Sequence, residues 1–165
     1  MIVKFAQIPS YSTEKVRIFS VYLGENKSTE YDYFFDREEN LSESHKEEMD
    51  IIFSTIERIM YHTGAKRWYF IVEKLAHYLP NVPDKIKDKN KIDWGIRLYC
   101  IYLRDDLLIL LNGDIKTTLD PLKCKNVKNH FLNAERIASG IQKALVNKEL
   151  DFNEPDPFKD FTLNI

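Results

Sequence analysis

The sequence predicts one α+β domain, an antiparallel sheet around a central hairpin (about 96–112). Two long helices (about 41–64 and 126–148) pack on it, and a terminal strand lies near 159–165. Three observations predict this. Two apolar, β-prone runs flank a short acidic turn at Asp105 and Asp106. Two other stretches repeat apolar residues at steps of three and four, the signature of helices with one buried face. A chain of 165 residues, 44% hydrophobic and 13% aromatic, buries roughly two thirds of its unfolded surface without metal or disulfide support.

The elements follow in chain order. Val16 to Leu23 is rich in β-branched and aromatic residues, and Gly24 opens a turn after it, so it reads as a strand. Glu30 to Asp36 carries Tyr31, Tyr33, Phe34 and Phe35 and is expected to fold back on the core. Asn40 to Ala65 is the clearest helix. Asn40 with Glu43 makes a capping box, Met49, Ile52, Phe53, Ile56, Ile59 and Met60 share one face, and Gly64 supplies the stop. Trp68 to Leu79 supports two readings, a strand at Trp68–Val72 or a helical turn from Glu73, with Pro80 ending either one. Asn81 to Asp93 alternates Lys and Asp and reads as a polar loop.

Arg97–Leu103 and Leu107–Leu111 form the hairpin. Asn126 to Lys148 is the second long helix, its stripe built by Val127, Phe131, Ala134, Ala138, Ile141 and Leu145. Beyond Pro155 and Pro157, Phe161, Leu163 and Ile165 alternate with polar residues, the period of a strand laid along a sheet edge.

Composition narrows the function classes. The longest apolar run, Leu107 to Leu111, is far too short for a bilayer span. The N-terminal residues lack the basic and apolar regions of a secretory signal. Cys100 and Cys124 have no CxxC spacing, which points to free thiols and a cytoplasmic location. A net charge of −2 excludes a uniformly basic nucleic-acid binder. The charge is polarised, however. Glu25–Asp50 holds ten acidic residues against three basic, and Lys116–Lys143 six basic against two acidic. Two readings stand, an anionic ligand near the second half or two ordinary solvated faces.

Hairpin register locates the candidate site. A two-residue turn at Asp105–Asp106 places Arg97 opposite Asp114. Period-two alternation then puts Arg97, Tyr99, Ile101 and Leu103 on one face with Leu108, Leu110, Asn112, Asp114 and Lys116. Two cations, a phenol and a carboxylate emerge at one end. Arg97 and Lys116 suit a phosphodiester, since Arg offers a planar fork of donors and Lys a compact charge. Alternatively, Arg97 and Asp114 form an ordinary exposed cross-strand ion pair. Lys128 and His130, at the start of the last helix, are candidate substrate-binding residues with Asn112, and His130 is a candidate general base. The spacing of His45, His62, His77 and His130 suggests no metal site, and His77 reads as structural. Cys100 reads as an inert core thiol.

The run from Trp94 through Arg97, Tyr99 and Gly113 to Lys116 and Thr118 resembles the central hairpin of the RelE/HigB toxin superfamily. Asn112-Gly113-Asp114-Ile115-Lys116-Thr117-Thr118 is similar to the H-G-F-I-K-K-T segment of phage-type HigB relatives. The whole chain also looks like a set of Bacteroides-type proteins that share an R-L-Y-C hairpin. The resemblance implies a small antiparallel sheet with helices and a metal-independent endoribonuclease without cofactors. It implies RNA, mRNA on the ribosome included, as substrate and an antitoxin protein as partner. Arg97 would hold phosphate, Lys116 stabilise charge and Tyr99 assist. Thr117 stands where the family has a second basic residue, Asp114 where it has an apolar one, and the chain is mildly acidic. These departures favour the alternative, a non-catalytic protein-binding module that is one half of a toxin–antitoxin-like pair. A homodimer through the terminal strand edge is a further expectation.

Overall fold

A computed structural model describes residues 1–38, 43–81 and 95–165. One seven-stranded sheet runs in the order β3-β4-β5-β6-β2-β1-β7. Its strands are β1 (Ile2–Gln7), β2 (Arg17–Leu23), β3 (Ile71–Glu73), β4 (Ala76–Leu79), β5 (Ile96–Arg104), β6 (Leu107–Ile115) and β7 (Thr162–Asn164). The helices are α1 (Glu30–Glu38), α2 (Lys46–Arg58) and α3 (Lys128–Val146). The α+β class predicted from sequence holds. All neighbouring strands are antiparallel except β2 and β6, which run parallel. That pair departs from the expected all-antiparallel sheet because β6 must find a partner beyond its own hairpin, and β2 arrives in the same direction.

The sheet separates two cores. On one face α3 and the C-terminal segment cover Val3, Phe19, Tyr99, Ile109, Leu111, Phe131 and Phe158. On the other, α1 and α2 cover Ile18, Phe34, Ile52, Ile56, Leu98, Leu108 and Leu110. Central β6 is therefore buried on both sides, which explains its unbroken apolar run.

The expected helices at 41–64 and 126–148 are present with tighter bounds. A 3₁₀ turn (Glu43–His45) precedes α2, and a π-helical turn (Ile59–Thr63) extends it. Gly64 ends it at φ 73°, and a side chain there would lie 2.7 Å from the Asp105 carbonyl. The Asn40 cap, and the polar loop beyond Asn81, lie outside the described residues. In α3, Phe131, Ala134, Ala138 and Ile141 are buried as expected, joined by Ile137 and Ala144. Glu30–Asp36 proves to be helix throughout, with Tyr31 and Phe34 buried and Tyr33 and Phe35 exposed. Trp68–Leu79 resolves into a 3₁₀ turn (Arg67–Tyr69) and the β3–β4 hairpin, not a helical turn at Glu73. Strand β1, absent from the sequence reading, fills the place between β2 and β7.

The β5–β6 hairpin contains the largest revision. Arg97 pairs with Asp114 at its far end, and Arg104 with Leu107 at its turn, as a two-residue loop requires. Between them Cys100 pairs with Leu110 and Ile101 with Ile109, one residue out of that register. An extra residue in β6 between Gly113 and Leu110 causes the slip, and one in β5 between Tyr102 and Arg104 reverses it. A one-residue slip exchanges faces. Leu108 and Leu110 consequently join Leu98 and Cys100 under α2, opposite the side expected for them.

Gly113 makes this irregularity feasible. A Cβ there would fall 1.7 Å from the Arg97 carbonyl oxygen, within bonded distance and against backbone. Gly113→Ala should destabilise the protein by at least about 3 kcal/mol, the upper end of overpacking penalties. Urea unfolding of the variant beside the parent checks this, and an unchanged midpoint would contradict it.

Candidate functional site at the end of the central hairpin

The far end of the hairpin gathers polar side chains on both sides of β6. On the α3 side, the β3–β4 hairpin carries Glu73 to the side chains of β5 and β6. The Tyr99 hydroxyl donates to Glu73 Oε2 at 2.9 Å, and Lys116 Nζ donates to Oε1 at 3.0 Å. Beside them the Arg97 guanidinium stacks 4.5 Å from the centre of the Tyr78 ring and donates to the Ile96 carbonyl at 2.9 Å. The Tyr78 and Tyr99 rings meet edge to face at 6.3 Å, and Tyr99 lies 5.9 Å from Phe131 of α3. The three residues predicted as catalytic do converge, but beneath the surface. Arg97 is 3% exposed, Tyr99 0% and Lys116 6%.

Charge state follows from that environment. Burial, then the neighbouring Glu73 carboxylate, pushes the Tyr99 phenol far above its usual range, so it remains protonated. Burial also raises Tyr78, although the adjacent Arg97 opposes the shift. Lys116 donates to Glu73, with side-chain exposures of only 7% and 17% for the pair. The cross-strand ion pair expected between Arg97 and Asp114 does not form. The two residues pair in register, but Asp114 binds Arg37 at 3.4 Å while Arg97 stacks on Tyr78. Among the described residues, the buried Arg97 Nε has no hydrogen-bond partner.

A second polar group surrounds Arg37, at the end of α1. Arg37 donates to the Gly113 carbonyl and, at 3.3 Å, to Asn112 Oδ1. Burial raises the Glu30 carboxyl against the opposing effects of Asn112 and Arg37. His130 lies near this group. Burial and then the Arg37 charge lower its pKa to about 4, with Asp114 opposing, so it is neutral near pH 7. Lys128 stands exposed at the first turn of α3. Of the predicted substrate-binding residues, Asn112 and His130 thus belong to the Arg37 group and Lys128 stands in solvent.

Two organising residues escaped the sequence reading. Glu73 sat in the segment with two readings, and Arg37 just beyond the aromatic run Glu30–Asp36. Neither carries a local signal, because each acts on residues distant in sequence. Among the described residues no group of three or more His, Cys, Asp and Glu side chains could hold a metal ion, and no helix is long and apolar enough to cross a membrane. His77, read as structural, packs against Phe70 and Tyr102. Cys100 is fully buried, and burial raises its thiol pKa. Cys124 differs. Burial pushes its thiol up, but hydrogen bonds from Thr117 and from the backbone of Thr117, Val127 and Asn126 outweigh this and lower it to about 7. No family model matches the chain, nor does any curated protein or solved structure.

Two outcomes are expected. Glu73→Gln, which removes the charge that Lys116 faces, should cost about 3 kcal/mol, the scale for breaking a buried pair; denaturant unfolding measures it. His130 should titrate near pH 4 by NMR, against about 6.5 for an unperturbed imidazole. The folded-state pKa is depressed, so the unfolded chain binds more protons in between. His130 therefore contributes stability that is present above pH 6.5 and lost as pH falls toward 4, on the order of 3 kcal/mol. His130→Gln should flatten that part of the stability profile.

Proposed function

We propose that this protein is a non-catalytic protein-binding module, one half of a toxin–antitoxin-like pair on a RelE/HigB-type hairpin. One observation carries the reading. The residues that phosphodiester cleavage would use are buried, and two of them are bound to Glu73. A buried phenol held protonated is a poor general base, and an ammonium bound to a carboxylate has little free charge to offer a phosphate. The group is organised as a structural network linking β3, β5 and β6.

The second reading is a metal-independent endoribonuclease acting through Arg97, Tyr99 and Lys116. It draws support from Arg97, for which no carboxylate lies within ion-pair distance among the described residues. A buried guanidinium lacking a counter-charge suits an incoming phosphate. The Tyr78 ring already faces that cation, however.

Labelled mRNA incubated with the purified chain in EDTA, with and without ribosomes, separates the two. The binding-module reading expects intact RNA, harmless expression, and a lower unfolding temperature in Arg97→Met because the residue is structural. Cleavage abolished by Arg97→Met at unchanged stability would overturn it in favour of the nuclease.

A further inference from the structure

The charge asymmetry along the chain becomes an asymmetry between the helices on the two faces of the sheet, although the C-terminal segment on the α3 side also exposes Glu149, Asp151, Glu154, Asp156 and Asp160. Helices α1 and α2, over one core, expose Asp32, Asp36, Glu47, Asp50 and Glu57. Helix α3, over the other, has one carboxylate in nineteen residues, Glu135. Glu135 Oε1 accepts from the backbone N–H groups of Leu75 and Ala76 at 2.9 and 2.7 Å, which ties it to the β3–β4 turn. Arg136 and Lys143 are exposed seven positions apart, two helical turns along one side.

Those two cations border a groove of about 420 Å³, with Leu75 and Ile165 also in its wall. Gly140 keeps it open, and Leu163 of β7 packs 3.0 Å from where a Cβ would stand. Lys143 and Ser139 also line a second depression of about 500 Å³, which includes Val146. Val146 is 82% exposed and Leu75 40%, so apolar side chains stand in solvent beside the two cations.

We propose that the outer face of α3 is the docking surface for an acidic amphipathic segment of a partner protein. The inference rests on the binding-module reading and specifies its surface. Glutamate or aspartate side chains meet Arg136 and Lys143, and apolar ones cover Leu75 and Val146. The acidic outer sides of α1 and α2 repel the same partner, which leaves the cation-bordered α3 groove the better match for it although net charge is −2. Nucleic acid fits this face less well. The groove lining contains no aromatic ring on which bases stack, and two cations are few beside the six to ten phosphate contacts typical of duplex binders.

The test is fluorescence anisotropy on the full chain. Its probe is a labelled helical peptide with leucines along one face and glutamates elsewhere. The expected result is saturable binding that weakens with salt and falls at least about tenfold in an Arg136→Glu/Lys143→Glu variant. Val146→Asp should weaken it as well. All three positions are exposed, and thermal unfolding confirms that the variants fold. Equal binding of a matched lysine peptide, no effect of the variants, or tighter binding of a single-stranded oligoribonucleotide would overturn the proposal. Self-association lost in the same variants, read by sedimentation, would instead assign the face to a second copy and overturn it too. RNA cleavage in EDTA would refute the module reading without altering the peptide result, so the two failures are distinguishable.

Discussion

Strand β6 is covered on both faces, and the architecture is organised around that burial. Leu107, Ile109 and Leu111 enter the core under α3, while Leu108 and Leu110 enter the one under α1 and α2. Each such side chain contributes roughly 2 kcal/mol when removed from water. A strand buried on two faces has no solvated side to set its orientation, so its neighbours set it. Antiparallel β5 and parallel β2 both hold it, with Arg17 pairing with Leu107 and Phe19 with Ile109. Arg17 also donates to the carbonyls of Phe152, Glu154 and Pro155, which fastens the C-terminal segment beside the hairpin turn.

The slipped register follows from the same arrangement. Shifting the middle of the hairpin lets alternate residues of β6 serve both cores, while its two ends return to the unshifted pairing. Gly113 lies where this brings the two backbones too close for a side chain. Beyond it the strand ends in polar residues that fan out in different directions. Lys116 reaches Glu73, and Asp114 and Asn112 reach Arg37. In the folded chain Arg97, Tyr99 and Lys116 are buried, and each is engaged by a ring, a carboxylate or a carbonyl.

Such networks gain importance in a chain whose edge strands, β3 and β7, are three residues each. Short edges offer little template for strand addition, which makes a helix face the better candidate for recognition than the expected terminal edge. Helices α1 and α2, which carry most of the acidic run, pack on one side of the sheet, and α3 packs on the other.

Patterns of period two and of three to four are local properties, and they were legible. The central hairpin, α2, α3, the terminal strand, the Gly64 stop and the Arg97–Asp114 pairing all follow from residues near one another in sequence. What the chain could not disclose locally were contacts between distant segments. The parallel β2–β6 pair, the slip in the hairpin and the arrival of Glu73 and Arg37 depend on packing between elements far apart along the chain. Spacing brought Arg97, Tyr99 and Lys116 together correctly, because alternation along a strand is encoded by the backbone. Whether they would face water was decided only when α3 and the β3–β4 hairpin closed over them, because burial belongs to the assembled layers and not to any strand.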